Sequence, residues 1–333
     1  MRVLTLHVGP GRLARSRFAL SRLAELSCAL EVLTHPARAP FARAWVDRTR
    51  PRLDPCRMEL LSALLGGAPG TPDGGPTYVP DFLVPWPETY DSPVAAELAR
   101  VAQTPADTVR TELRAAFGAV LPHAVTAVLD SGGERAVAET AAAQLRYGWD
   151  VVLADDWPAL ERVLDEDVRA RAAVAAREGF GGILGGLHPS LCWDGQRLTR
   201  DTPAEAVLAP EPGVVLAPSV FLPWPAWWHG SPGRVLLGYP ARGRGRVWAP
   251  PGPVLGPPVL GARRIALLAD LATPRSTSEL AARHGLSPAT VSYHLRRLRT
   301  DDLVTARRDG HSVIYAPNDR ARALLAAMEW DGQ

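Results

Sequence analysis

The chain contains no lysine, so all 37 of its basic residues are arginine. A GC-rich genome that favours arginine codons accounts for that bias. The number of arginines therefore carries no signal for nucleic acid, and only their placement can. Cysteine is scarce as well. Cys28, Cys56 and Cys192 are odd in number, far apart and without a C-x-x-C pair, which argues against a disulfide framework or a thiolate metal site. Three small buried hydrophobes are expected instead. No run approaches 18 apolar residues, and residues 1–10 lack the basic stretch and apolar core of a secretory signal, so the expected location is the cytoplasm, with no membrane partner. P-loop, GxGxxG, HExxH and GxSxG patterns are also missing.

At 333 residues the chain is long for one core and comfortable for two, and 47% hydrophobic with 22% charged residues is the balance of a folded protein. Its net charge of +2 is unevenly shared. From residue 261 onward eleven arginines face eight acidic residues, and the first 260 residues are one negative. The basic excess belongs to the C-terminal tail.

An α+β chain is expected, with a mixed α/β N-terminal domain over residues 1–250 that includes a small antiparallel sheet. Residues 1–8 alternate as a short strand, and residues 18–30 carry Leu20, Leu23, Ala24 and Leu26 at helical spacing. Residues 66–87 read as a long Gly/Pro connection anchored by Tyr78, Val79, Phe82, Leu83 and Trp86. Helices are expected over 93–103, 105–117, 134–149 and 157–179, the last with Leu160, Val163, Leu164, Val168 and Ala172 on one face and Asp156 as its N-cap. Short apolar runs then follow, with Asp194-Gly195 as a hairpin turn. Residues 249–258 are crowded with proline and glycine, and 251–260 are assigned as a stiff linker ahead of a second domain over 261–333.

That second domain has the clearest pattern. Ile265, Leu267, Leu268 and Leu271 mark one helix, and Ser276 to His284 a second, with Glu279 three residues after Ser276 as in a capping box. Gly285-Leu286 supplies a tight turn. Ser287 then caps a third helix with Pro288 in its first turn and Val291, Leu295 and Leu298 as the inward stripe. Facing out are Ala289, Thr290, Ser292, Tyr293, Arg296, Arg297 and Arg299: small and hydroxyl side chains first, arginines later. A recognition helix needs this order, because its first turns enter the major groove closely while later basic groups reach phosphates. Strands over 303–306 and 313–316, joined through Arg307, Arg308, Asp309 and Gly310, form a basic wing that meets the flanking backbone or minor groove.

Residues 279–304, ELAARHGLSPATVSYHLRRLRTDDLV, and the wing RRDGHSVIYA over 307–316 resemble the ArsR-type winged-helix repressors across roughly a fifth of the chain. The resemblance implies double-stranded DNA as partner, groove-facing residues at Pro288, Ala289, Ser292 and Tyr293, and His294 in a helix-packing role. The expected DNA-contacting set is Ser287, Pro288, Ala289, Thr290, Ser292, Tyr293, Arg296, Arg297, Arg307, Arg308 and His311. It also implies a homodimer, formed through the helices near 262–271 and 319–328 with Leu324, Leu325 and Met328, reading an inverted repeat. One departure matters. Metal-sensing members carry a cysteine pair where this chain has Arg275, Ser276, Thr277, Ser278 and Glu279, and residues 318–328 offer Asp319 with no histidine, so no metal or other cofactor is expected.

The segments YVPDF (78–82), LHPSLCWDG (187–195), APSVFLPWP (217–225) and YPARG (239–243) are similar to those of bacterial regulators that carry a long N-terminal domain of uncharacterised function ahead of such a winged helix. No catalytic residue is expected: His188 reads as a turn residue rather than an acid–base group. Trp193, Phe221, Trp224, Trp227, Trp228, His229 and Tyr239 are candidates for a small-molecule effector pocket, against the competing reading that they are the core of a small sheet, which is the favoured one. A fused enzyme and a weakly specific architectural DNA clamp are the rival functions.

Overall fold

Ser21 sets the start of the first long helix: its hydroxyl accepts the Ala24 amide at 3.2 Å and opens α2 (Arg22–Thr34). A second cap comes from a distant helix. Glu97, fully buried on the later helix Val94–Ala102, accepts the Leu23 amide at 2.8 Å and the Arg22 amide at 3.3 Å, so one carboxylate satisfies two donors that the first turn of a helix always leaves open. Ten of the thirteen residues of α2 are buried, which makes it the central helix of the N-terminal unit.

The computed structural model describes residues 2–66, 78–202, 206–229, 233–248, 262–271, 273–284, 286–309 and 312–329. The chain divides into two units, Met1–Trp248 and Ala249–Gln333. The expected linker over 251–260 and part of the 66–87 connection lie outside the described residues.

In the first unit the elements run β1 (Arg2–His7), α1 (Pro10–Leu13), β2 (Arg17–Phe18), α2, α3 (Arg43–Thr49), α4 (Glu59–Gly66), α5 (Val94–Ala102), α6 (Ala106–Phe117), α7 (His123–Val152), α8 (Trp157–Glu178) and α9 (Phe180–Leu184). Among the described residues six strands follow: β3 (Cys192–Trp193), β4 (Arg197–Thr202), β5 (Ala206–Leu208), β6 (Val214–Ser219), β7 (Ala226–His229) and β8 (Val235–Pro240). Gly132 and Gly133, the latter at φ 69°, break α7 into two rods, and the second is the helix expected over 134–149, which runs on to Val152. Asp156 does not cap α8 through its side chain. Its carboxylate instead accepts Trp45 Nε1 at 3.0 Å and Arg48 at 2.6 Å, tying α3 to the start of α8. Cys56 and Cys192 are exposed, and Cys28 alone is buried as expected.

The expected small antiparallel sheet is two mixed sheets. One has the order β3-β4-β1-β5, with β1 antiparallel to β4 and parallel to β5; the other has the order β2-β6-β8-β7, with β6 parallel to both β2 and β8 and β7 closing the edge antiparallel to β8. Asp194-Gly195 does turn the chain between β3 and β4: Gly195 has φ 97°, and the Asp194 carboxylate accepts the amides of Gln196 and Arg197. Gly238 in β8 is required by packing, because a Cβ there would lie 2.7 Å from the Trp228 ring and 2.8 Å from Leu222.

Apolar residues of the helices, with Phe221 and Leu222, form the large core, and the strands close a second around Leu4, Leu6, Leu198, Leu237 and Tyr239. Buried beside the latter, Asp167 pairs with Arg171 at 2.8 Å, accepts the Tyr239 hydroxyl at 2.8 Å and takes the Arg242 amide at 3.1 Å. Every strong partner of that charge is in place, which makes its burial tolerable.

The second unit comprises α10 (Ala262–Asp270), β9 (Arg275–Ser276), α11 (Thr277–His284), α12 (Pro288–Thr300), β10 (Val304–Asp309), β11 (Ser312–Pro317) and α13 (Asp319–Glu329), with sheet order β10-β11-β9. Leu267, Leu268, Leu271, Leu280, Val291, Leu295, Leu298 and Ala321 are its buried core. This is a winged helix-turn-helix, and the whole chain is α+β.

Candidate nucleic-acid interface

The capping box expected at α11 is formed in both directions: Glu279 Oε2 accepts the Ser276 amide at 2.7 Å, and the Ser276 hydroxyl accepts the Glu279 amide at 3.3 Å. Those bonds, the backbone one foremost, hold the Glu279 carboxyl below its ordinary pKa. Asp270 fixes the other end of α11. It accepts Arg283 at 2.7 Å and His284 at 3.0 Å, with Arg275 at 3.4 Å, and its pKa is depressed first by the Arg283 bond. The turn glycine Gly285 lies outside the described residues, while Leu286 next to it packs against the core.

Helix α12 starts as its sequence requires. The Ser287 hydroxyl accepts the Thr290 amide at 3.1 Å with Pro288 in the first turn. Val291, Leu295 and Leu298 are completely buried, and that single stripe fixes the rotation of the helix. The opposite face carries Ala289, Ser292, Tyr293 and Arg296 at helical neighbour spacing, with Thr290 and Arg297 beside them. Tyr293 is 55% exposed, a large ring with no core to occupy. His294 turns toward the module, half-buried and edge-on to Tyr293 at 5.4 Å between centroids. At the far end Asp302 takes φ 53° and the Leu303 amide returns to Leu298 O at 2.9 Å, which turns the chain into the wing without a glycine.

The wing strands are longer than expected. Arg307 and Arg308 lie within β10, opposite Ile314 and Val313, rather than in the turn. Successive strand residues face opposite sides, so the two guanidiniums diverge. His311 and Gly310 lie outside the described residues.

Charge is sorted by position. Among the described residues Arg264, Arg275, Arg283 and Arg322 are paired with carboxylates, whereas Arg296, Arg297, Arg299, Arg307, Arg308 and Arg320 have no such partner and are exposed. Neutralised arginines brace the module; the unneutralised ones lie on the outward side of α12 and on the wing, apart from Arg320 on α13. Leu324 and Leu325 of α13 pack partly on the module's own core, and the side chain of Met328 is outside the described residues.

In the N-terminal unit the seven aromatic and histidine candidates do not gather on one cavity. Phe221 is buried against Trp45, and Tyr239 is spent on Asp167. Trp227 packs with the strand core while Trp228, its neighbour on β7, packs on the opposite side against the helices. Trp193 joins the strand core, and Trp224 is 44% exposed. His229 meets Asp81, which accepts its amide at 2.9 Å and approaches Nδ1 at 3.5 Å, while the Tyr78 hydroxyl donates to the same carboxylate at 2.7 Å. His188 is a turn residue: its Nδ1 accepts the Ser190 amide at 3.1 Å, and its carbonyl accepts the Leu191 amide. Sequence reasoning missed the buried acids Glu25, Glu97, Glu112 and Asp81, each of which accepts backbone amides.

Among the described residues no helix is long and apolar enough to cross a membrane. The helix-turn-helix domain family matches residues 263–307. Two solved structures are similar at 30% identity and a TM-score of 0.20, each over 21% of this chain. The first is the homodimeric winged helix-turn-helix DNA-binding domain of a possible ArsR-family transcriptional regulator from Mycobacterium bovis, of which 66% is covered. The other is a predicted DNA-binding transcriptional regulator from E. coli, of which 77% is covered. No curated protein matches the chain. The C-terminal module of this chain belongs to the helix-turn-helix DNA-binding domains and is similar to the winged helices of ArsR-type transcription regulators.

Proposed function

We propose that the chain is a bacterial transcription regulator, a homodimeric repressor that places α12 of each protomer in the major groove of an inverted repeat. The observation that carries this reading is the sorting of charge in the C-terminal module. Side chains short enough for close approach, Ala289 and Ser292, share a face with Tyr293 and the unpaired Arg296, while every carboxylate-paired arginine is elsewhere. Tyr293 supplies an apolar contact of the kind a thymine methyl accepts, and the arginines neutralise phosphate. Two-fold symmetry sets the half-sites about one helical turn apart.

In this reading the N-terminal unit receives the signal and shifts the population that binds DNA. No metal enters at the positions used by metal-sensing relatives, since residues 275–279 hold no cysteine and 318–328 no histidine. The chain acts by binding, not by catalysis. In-vitro selection of duplexes by the full chain, followed by footprinting, tests it: a protected palindrome bound by two chains is expected. Selection of no sequence, or one chain per site at saturation, removes the proposal.

A further inference from the structure

Asp270 sits at the unfavourable end of its helix. It is the last residue of α10, where open carbonyls give the helix a partial negative charge that disfavours a carboxylate. Nothing local recommends an acid there, but among the described residues three basic side chains from other elements do. Arg283 and His284, the final two residues of α11, reach its Oδ2 at 2.7 and 3.0 Å, and Arg275 of β9 approaches its Oδ1 at 3.4 Å. Arg275 also donates to the Asp270 carbonyl at 3.2 Å, so one guanidinium both covers the end of α10 and pairs with its carboxylate. The Asp270 side chain is only 16% exposed, and these bonds are therefore screened less than surface pairs.

What this carboxylate holds is the point from which α12 starts. Residues 285 and 286 alone separate His284 from Ser287, the cap of α12, and the Leu286 amide returns to Ala281 O at 3.0 Å. The far end of α12 is tied to the same helix. Arg264, in the first turn of α10, lies 3.9 Å from Asp301, the residue that ends α12. Helix α10 thus makes a polar contact near each end of α12, with the stripe Val291, Leu295 and Leu298 buried between them. Apolar packing is non-directional, so that stripe fixes the rotation of α12 about its axis and leaves its tilt to the contacts at the ends. The contact through Asp270 is the closer of the two and has three partners.

We propose that Asp270 is a positioning residue for sequence recognition: by clamping the C-terminal end of α11 it sets the tilt and depth at which α12 enters the major groove. The inference rests on the DNA reading above. Hydrogen bonds to base edges are directional, and the groups that make them have to be held to about 0.5 Å, whereas an arginine reaches a phosphate from many angles. Loosening the clamp therefore removes discrimination between sequences before it removes affinity for duplex as such.

The test uses the full chain, a duplex recovered by selection with it, and a scrambled duplex of equal length. Asp270→Asn should cut the ratio of specific to non-specific affinity about tenfold, the size of one misread base pair, while non-specific affinity holds or rises. Asp319→Asn is the matched control: it removes the same charge from the module at an exposed pair with Arg322 and should keep the native ratio. Arg283→Ala takes the shortest bond away from the carboxylate and should lower the ratio in the same direction, which keeps the test open if Asp270→Asn does not fold. A second signal is read without DNA. With 3-fluorotyrosine incorporated and the Tyr293 resonance assigned by Tyr293→Phe, Asp270→Asn and Arg283→Ala should move that resonance and Asp319→Asn should not. Equal losses on both duplexes, an unchanged ratio, or a Tyr293 resonance that stays in place in the folded variants overturns the proposal. A native chain that selects no duplex removes the DNA reading and this inference with it, whereas a selected duplex whose ratio is indifferent to Asp270 removes the inference alone.

Discussion

Replacing Arg296 with alanine should change how DNA binding responds to salt, and by an amount that follows from where the arginines lie. The five on α12 and the wing, Arg296, Arg297, Arg299, Arg307 and Arg308, have no carboxylate partner among the described residues. Strand alternation directs Arg307 and Arg308 to opposite faces, so one of that pair faces the duplex. Each protomer then offers about four phosphate contacts and a dimer about eight, for a log–log slope of affinity against salt near about −7. Doubling the salt concentration should cost on the order of a hundredfold in affinity. Arg296→Ala removes one contact per protomer and should make the slope shallower by about 1.8 units. Arg110→Ala is the matched control, because Arg110 belongs to the N-terminal unit and is paired with Glu134 at 2.6 Å, yet its loss changes net charge equally. Fluorescence anisotropy of a labelled operator at several salt concentrations reads all three proteins. If Arg110→Ala and Arg296→Ala shift the slope alike, binding follows bulk charge, and the placement argument is refuted.

Other consequences are as direct. Arg307→Ala and Arg308→Ala should differ, one lowering operator affinity and the other leaving it nearly unchanged; equal losses in the same anisotropy assay would contradict the strand alternation. Ser276→Ala removes the hydroxyl half of the α11 capping box, while the residue 276 amide still donates to Glu279, and should cost the C-terminal module about 1 kcal/mol, read as a lower urea midpoint of that unit. Asp167→Ala strands Arg171 and Tyr239 and should cost the N-terminal unit about 3–5 kcal/mol, whereas an effect below about 1 kcal/mol would show the buried network to be dispensable. Glu25 and Glu97 are both raised by burial from the ordinary value near 4.5 to about 7. A carboxyl whose folded pKa is raised contributes stability that is complete below pH 4.5 and is lost as pH climbs through 7, so urea unfolding of the N-terminal unit should weaken over that window and Glu25→Gln should flatten the decline.

The winged helix was legible because its signals are local. Ser276 with Glu279, Ser287 with Pro288, and the Val291, Leu295, Leu298 stripe each act within one or two turns, and each side chain does in the fold what its spacing implies. Where a signal had distant competitors it misled. Asp156 sits where a cap belongs, but Trp45 and Arg48, more than a hundred residues earlier, claim its carboxylate. The sheets were hidden for a related reason: β1 pairs Arg2 with Thr202, and period-two alternation does not say whether a strand's partner runs parallel or antiparallel. The wing was read too short because two arginines at a strand end look like turn residues, yet β10 continues through Asp309. Trp227 and Trp228 are adjacent, and on a strand adjacency alone sends them to opposite faces, so their clustering in sequence never implied one pocket.

The central claim is that α12 reads duplex DNA through its outward face. Ser292→Glu and Tyr293→Ala place that claim at risk most directly, because both positions lie on the surface of α12 away from the buried stripe and leave the core of the module intact. On a duplex recovered by selection with the native chain, the account requires Ser292→Glu to abolish specific binding and Tyr293→Ala to weaken it by about 1–3 kcal/mol while relaxing preference at one base pair. Native affinity and native sequence preference in both variants would contradict it.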